Sequence, residues 1–147
     1  MNKFYGIDVR GEGRVILAWY GSLHPNAQDE ILNLLLQLES LPMGLWARPE
    51  FDPLVGEGGI SELRADEVST ESGVAFYRIY GWKGFPDSHS YTFLHGTDKD
   101  EKNDIEGKSR AKWRAEQLFR RNEASLHELN LTSRLIATLA PRQGNKS

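Results

Sequence analysis

The 147-residue chain contains no cysteine. Disulfides, a thiolate nucleophile and any cysteine-ligated zinc or iron–sulfur site are therefore excluded. No apolar run approaches the roughly 20 residues needed to cross a bilayer, so no membrane association is expected. The opening M-N-K-F-Y-G-I-D-V-R has no secretory apolar stretch, because Asp8 and Arg10 interrupt it, and a cytoplasmic location is the expectation. Charge of one sign is not in large excess. Eighteen Lys and Arg against 21 Asp and Glu leave a formal net charge of −3 and a pI near 5.8, which argues against indiscriminate binding of nucleic acid through an overall positive field. Paired catalytic glutamates, HExxH, a P-loop and G-x-S-x-G are missing too, so metalloprotease, nucleotide-binding and esterase readings lack support. No metal or other cofactor is expected.

What is present suits one compact domain. The chain is 39% hydrophobic and 27% charged, with four Trp, five Tyr and six Phe. Residues 1–140 read as the domain and residues 141–147 as a loose tail. The segments K-F-Y-G-I-D-V-R and R-V-I-L-A-W-Y-G read as two strands around Gly11-Glu12-Gly13, or as one strand with a bulge. Pro25, Asp29 and Glu30 open a helix whose Ile31, Leu34, Leu35 and Leu38 recur at helical spacing and whose end is set by Pro42. Three strands follow, over 60–65, 74–82 and 90–95, joined by connections short enough for an antiparallel meander. From about Asp104 the pattern becomes helical, with Ala111, Ala115, Leu118 and Phe119 as an apolar stripe. Leu131, Leu135 and Leu139 extend the helical pattern or mark a second helix. The expected fold is α+β: a small antiparallel sheet of about four to five strands, with an N-terminal and a C-terminal helix packed on it.

Charge is distributed unevenly along this frame. In G-V-A-F-Y-R-I-Y-G-W, strand alternation puts Ala75, Tyr77 and Ile79 on one side and Val74, Phe76, Arg78, Tyr80 and Trp82 on the other. Arg78 thus sits among aromatics, either paired with a carboxylate such as Glu62 or held out to meet an anion. Residues 108–121, K-S-R-A-K-W-R-A-E-Q-L-F-R-R, carry six basic residues against Glu116, whereas residues 97–106 hold five acids against two lysines.

In chain order, G-I-S-E-L-R (59–64), F-Y-R-I-Y (76–80) and F-L-H-G (93–96) with Lys99 resemble the RelE/HigB branch of toxins from bacterial toxin–antitoxin pairs, including phage-derived relatives. Arg48-Pro49 and Leu54 fit the approach to the first motif, and the resemblance spans about residues 30 to 115. It implies a RelE-like fold and a metal-free endoribonuclease that cuts messenger RNA on the ribosome and is silenced by a cognate antitoxin protein. In that chemistry a 2′-hydroxyl attacks the adjacent phosphorus, and protein groups move protons and neutralise a phosphorane. The resemblance assigns Arg78 to phosphate and transition-state stabilisation. Arg64 becomes a substrate contact or a structural ion pair, His95 a general acid or base or an ordinary strand-end histidine, and Lys99 the family lysine. Lys108, Arg110, Lys112 and Arg114, with Trp113 among them, either grip ribosomal RNA or form a solvated helix face. Lys83 is an RNA contact or an exposed hairpin lysine. Thr97 and Asp100 stand where relatives carry Phe and a second Lys. That departure motivates two other readings, a non-catalytic protein-binding descendant and a ParE-like gyrase inhibitor.

Overall fold

The computed structural model describes residues 1–98, 104–132, 135–137 and 142–143. They form an α+β fold in which three α-helices pack on the two faces of a mixed sheet. Nine strands lie among the described residues, in place of the four or five expected.

Strand β1 (Lys3–Val9) runs in the interior of the sheet, and its composition explains why. Phe4 joins the apolar cluster on one face of the sheet, while Tyr5, Ile7 and Val9 join the cluster on the other. A strand that is apolar on both faces belongs in a sheet interior, with partners satisfying its N–H and C=O groups at both edges. One partner is β6 (Ser90–Thr97), paired in parallel with Phe4 opposite Tyr91. The other is β7 (Ala124–Leu131), paired antiparallel with Tyr5 opposite Glu128. The parallel pair makes the sheet mixed rather than antiparallel throughout.

Gly11 and Gly13, with φ of 87° and 78°, turn the chain after β1 into the two-residue β2 (Gly13–Arg14). The predicted second strand then fails to form, because V-I-L-A-W-Y-G folds as α1 (Val15–Gly21). Its aromatic and β-branched content favours a strand, yet Ile16 and Tyr20 at i and i+4 are buried against the sheet. A reciprocal pair of hydrogen bonds fastens α1 to the next helix, Tyr20 Oη donating to the Gln28 carbonyl and Gln28 Nε2 to the Tyr20 carbonyl, both at 2.9 Å. That helix, α2 (Pro25–Ser40), has Pro25 at its first position and buries Ile31, Leu34, Leu35 and Leu38, as the spacing predicts. Helices α1 and α2 cover the face of the sheet that carries Phe4, Leu63, Tyr77, Ile79, Tyr91 and Phe93.

Strands β3 (Phe51–Pro53), β4 (Ser61–Thr70), β5 (Gly73–Lys83) and β6 pair antiparallel in sequence order. The meander is as predicted, with β4 running five residues further. The chain then enters α3 (Ile105–Phe119), whose N-cap Asp104 accepts from the Gly107 N–H at 3.0 Å. The expected stripe Ala111, Ala115 and Leu118 is buried on the second face, and Phe119 is partly buried against Trp82 and Phe85.

No helix follows α3 in the described residues. Asn122, at φ 54°, lies in the turn that reverses the chain, and A-S-L-H-E-L-N-L becomes β7 along the open edge of β1. Strand β8 (Leu135–Ala137) pairs with β7, and so does β9 (Arg142–Gln143), which falls within the expected tail. Leu131 and Leu135 lie in paired strands, with Leu131 opposite Leu135. Leu139 lies outside the described residues.

One close approach in the meander is testable. A Cβ on Gly81 would lie 2.5 Å from the backbone oxygen of Thr92, which cannot rotate away. Gly81→Ala is expected to cost about 1–3 kcal/mol in denaturant unfolding, whereas Gly44→Ala, with open space around it, leaves the midpoint nearly unchanged.

Candidate functional site

Strand register brings three of the predicted site residues together on the α3 side of the sheet. Arg64 on β4 lies directly opposite Arg78 on β5, and Glu62 lies opposite Tyr80. On the other edge of β5, Tyr80 lies opposite His95 and Arg78 opposite Thr97. Simple alternation from Phe93 would turn His95 toward α1 and α2. The register shifts here, however: Gly81 pairs with Phe93 while Tyr80 pairs with His95, so Leu94 is the extra residue of a bulge. Leu94 packs in the α3 cluster, and the His95 ring stacks parallel to Tyr80, with centroids 6.4 Å apart and planes at 4°.

Two arginines directly opposite one another repel unless a counter-charge lies between them. Glu62 provides it. Its Oε1 accepts from Arg64 Nε at 2.7 Å and its Oε2 lies 3.5 Å from Arg78 Nε. Asp52, at the sheet edge on β3, accepts from Arg64 Nη2 at 3.2 Å and from Arg48 Nε at 3.1 Å. Both carboxylates are deeply buried, with side-chain exposures of 4% for Glu62 and 10% for Asp52, while Arg64 and Arg78 retain 28% and 13%. Among the described residues, Arg48, Arg64 and Arg78 thus share the carboxylates of Asp52 and Glu62.

Beside this cluster a second network locks α3 to the sheet. Tyr80 Oη donates to Asp104 Oδ2 at 2.9 Å, and burial followed by this bond pushes the Tyr80 hydroxyl pKa upward. Arg114 is buried, although its place in the basic run suggests an exposed nucleic-acid contact. It points inward, donating from Nη1 to the Leu94 carbonyl at 2.9 Å and to His95 Nδ1 at 3.0 Å. Glu12, from the glycine turn after β1, accepts from Arg114 Nε and Nη2 at 3.1 and 3.3 Å. Burial, then the charge of Arg114, pulls the His95 pKa down to about 4.

The other expected nucleic-acid contacts are also partnered. Arg110 lies 3.7 Å from Glu12, Lys108 lies 3.8 Å from Glu57, and Lys112 forms an ion pair with the same Glu57. The hydrogen bond from Lys112 holds Glu57 below the usual carboxylate range. Trp113 remains 44% exposed rather than packed on the body. Lys83 is exposed on the opposite side of the sheet from Arg78, with Nζ 5.5 Å from the centre of the Phe51 ring. Lys99, with Asp100 and Glu101, lies outside the described residues. Among the described residues there is no group of three or more metal-ligating side chains.

Sequence reasoning passes over Tyr80, Asp104, Glu12 and Asp52. Tyr80 lies inside the Y-R-I-Y motif and two positions beyond Arg78, so strand alternation is the signal that points to it. Asp52 lies between Pro49 and Leu54 on the approach to the first motif, whereas Glu12 lies far from the motifs in sequence and only the fold brings it near.

No protein family, no curated protein and no solved structure matches the chain.

Two measurements test this electrostatic arrangement. Glu62→Ala leaves two guanidiniums without their shared carboxylate and is expected to cost about 3 kcal/mol in chemical unfolding, with Glu62→Gln costing less. His95, held neutral with a pKa near 4 against an ordinary 6.5, contributes stability that is complete above pH 6.5 and lost as pH falls toward 4. The thermal midpoint of the wild type should therefore fall more steeply over that interval than that of His95→Gln, and equal slopes would contradict the assignment.

Proposed function

We propose that the chain is the toxin component of a RelE/HigB-like toxin–antitoxin pair, acting on messenger RNA at the ribosome and held inactive by a small antitoxin protein. The observation that carries this reading is the placement of Arg64 directly opposite Arg78 on one sheet face, with His95 on the neighbouring strand of that face. The three motifs behind the resemblance thus converge on one surface. The order of elements supports it as well: a strand, helices, a stretch that holds the short β3, the antiparallel strands β4, β5 and β6, and a helix. A guanidinium pair on a rigid sheet offers planar forks of donors to the oxygens of a phosphodiester, and the buried carboxylates behind it fix where those donors point.

A second reading, a non-catalytic protein-binding descendant of the same fold, is favoured by one observation. Arg64, Arg78, Lys108, Arg110, Lys112 and Arg114 each lie within ion-pairing distance of a carboxylate. Partnered cations release less binding energy to a phosphate backbone than solvated ones do.

Inducible expression in a bacterial host separates the two. The wild type is expected to arrest growth and fragment messages during translation, and Arg78→Ala to abolish both while the protein accumulates in folded form. Growth without arrest and intact messages would overturn the toxin reading. Retention of a stable protein partner by both forms, without RNA cleavage, would establish the second.

A further inference from the structure

Arginine has donors only and stays protonated in proteins, so a nitrogen that lies 3.0 Å from Arg114 Nη1 must accept. His95 Nδ1 is that nitrogen. Its proton therefore resides on Nε2, to which no described residue is hydrogen-bonded. Arg114 in turn cannot swing away, because its Nη1 also donates to Leu94 O, while Nε and Nη2 are gripped by Glu12. The ring itself is pinned by stacking on Tyr80, whose hydroxyl is tied to the α3 cap, Asp104.

We infer that His95 is a fixed, neutral Nε2–H hydrogen-bond donor to a phosphoryl oxygen, with Arg114 and Glu12 as its positioning residues, and not a proton shuttle. The inference deepens the proposed function and rests on it for the identity of the acceptor. The tautomer and the roles of Arg114 and Glu12 follow from the geometry alone. Among the described residues, the charged and titratable groups that act on the ring come from three elements. From α3 and its cap come Arg114, Arg110 and Asp104, from the turn after β1 comes Glu12, and from β5 comes Tyr80. Burial and Arg114 outweigh the two carboxylates, so the imidazolium is disfavoured. A group of this kind stabilises charge growing on an equatorial phosphorane oxygen without a proton changing hands. Removal of the 2′-hydroxyl proton then falls to a different group.

Nitrogen-resolved NMR of the imidazole in the intact protein tests the tautomer directly. The expected spectrum shows a proton on Nε2 and a bare Nδ1 from pH about 8 to about 5.5. Arg114→Gln is expected to move the titration midpoint up toward the ordinary value of about 6.5. If that buried substitution prevents folding, Glu12→Gln, in the exposed turn, should shift the same resonances. A proton on Nδ1, or an imidazolium at pH about 6.5 in the wild type, would overturn the inference whether or not RNA is cut. On programmed ribosomes, His95→Gln keeps an N–H donor and should retain cleavage, whereas His95→Ala should lose about 10²-fold. Equal losses in the two variants would overturn the donor role. Absence of cleavage by the wild type would overturn the toxin reading and with it the phosphoryl acceptor, leaving the tautomer and its positioning to be decided by the spectrum.

Discussion

A glutamate buried between two arginines governs the surface on which the proposed activity depends. Strand register places Arg64 and Arg78 side by side, a like-charge pair that neighbouring strands do not tolerate unaided. Glu62 resolves the conflict by giving one oxygen to each guanidinium, and Asp52 takes a further donor of Arg64. Such a carboxylate is costly to desolvate and gains its place only through well-placed partners, so it is better understood as specifying geometry than as a source of net stability. The cation pair, rather than the fold as a whole, is what Glu62 holds in place.

The next constraint is backbone irregularity. A β-bulge at Leu94 turns His95 onto the arginine side of the sheet, where Tyr80, Arg114 and Glu12 immobilise it. Without the extra residue the same sequence would point His95 at α1, on the other face. The long side chains of α3 complete the arrangement from above. Arg114 reaches down to the ring, while Lys108 and Lys112 bend to Glu57 on the glycine-rich stretch before β4. A helix that looks cationic in sequence is therefore largely neutralised in the fold, which moves the centre of any phosphate-directed activity from α3 to the sheet.

Much of this was legible from local pattern. The period of Ile31, Leu34, Leu35 and Leu38 marks α2, and alternation in β5 correctly separates Tyr77 and Ile79 from Arg78 and Tyr80. Pairing of Arg78 with Glu62 was one of the two outcomes its setting allowed. Misreadings arise where long-range pairing overrides local preference. V-I-L-A-W-Y-G has strand-like composition but folds as α1, because Ile16 and Tyr20 have a sheet to cover and Gln28 to bond. The leucines after residue 124 have helical spacing, yet the unpaired edge of β1 draws the segment into β7. Bulges and ion pairs between residues some hundred positions apart, such as Glu12 with Arg114, leave no periodic trace in a single sequence.

The role proposed for the Arg64–Arg78 surface is to act on a phosphodiester through attack of the neighbouring 2′-hydroxyl. Its most direct test is the end chemistry of message fragments made by the purified protein on programmed ribosomes. The account predicts discrete fragments ending in a 2′,3′-cyclic phosphate, absent when the message carries a 2′-deoxy residue at the cleaved position. Intact message, or cleavage that persists at the 2′-deoxy position, would contradict it.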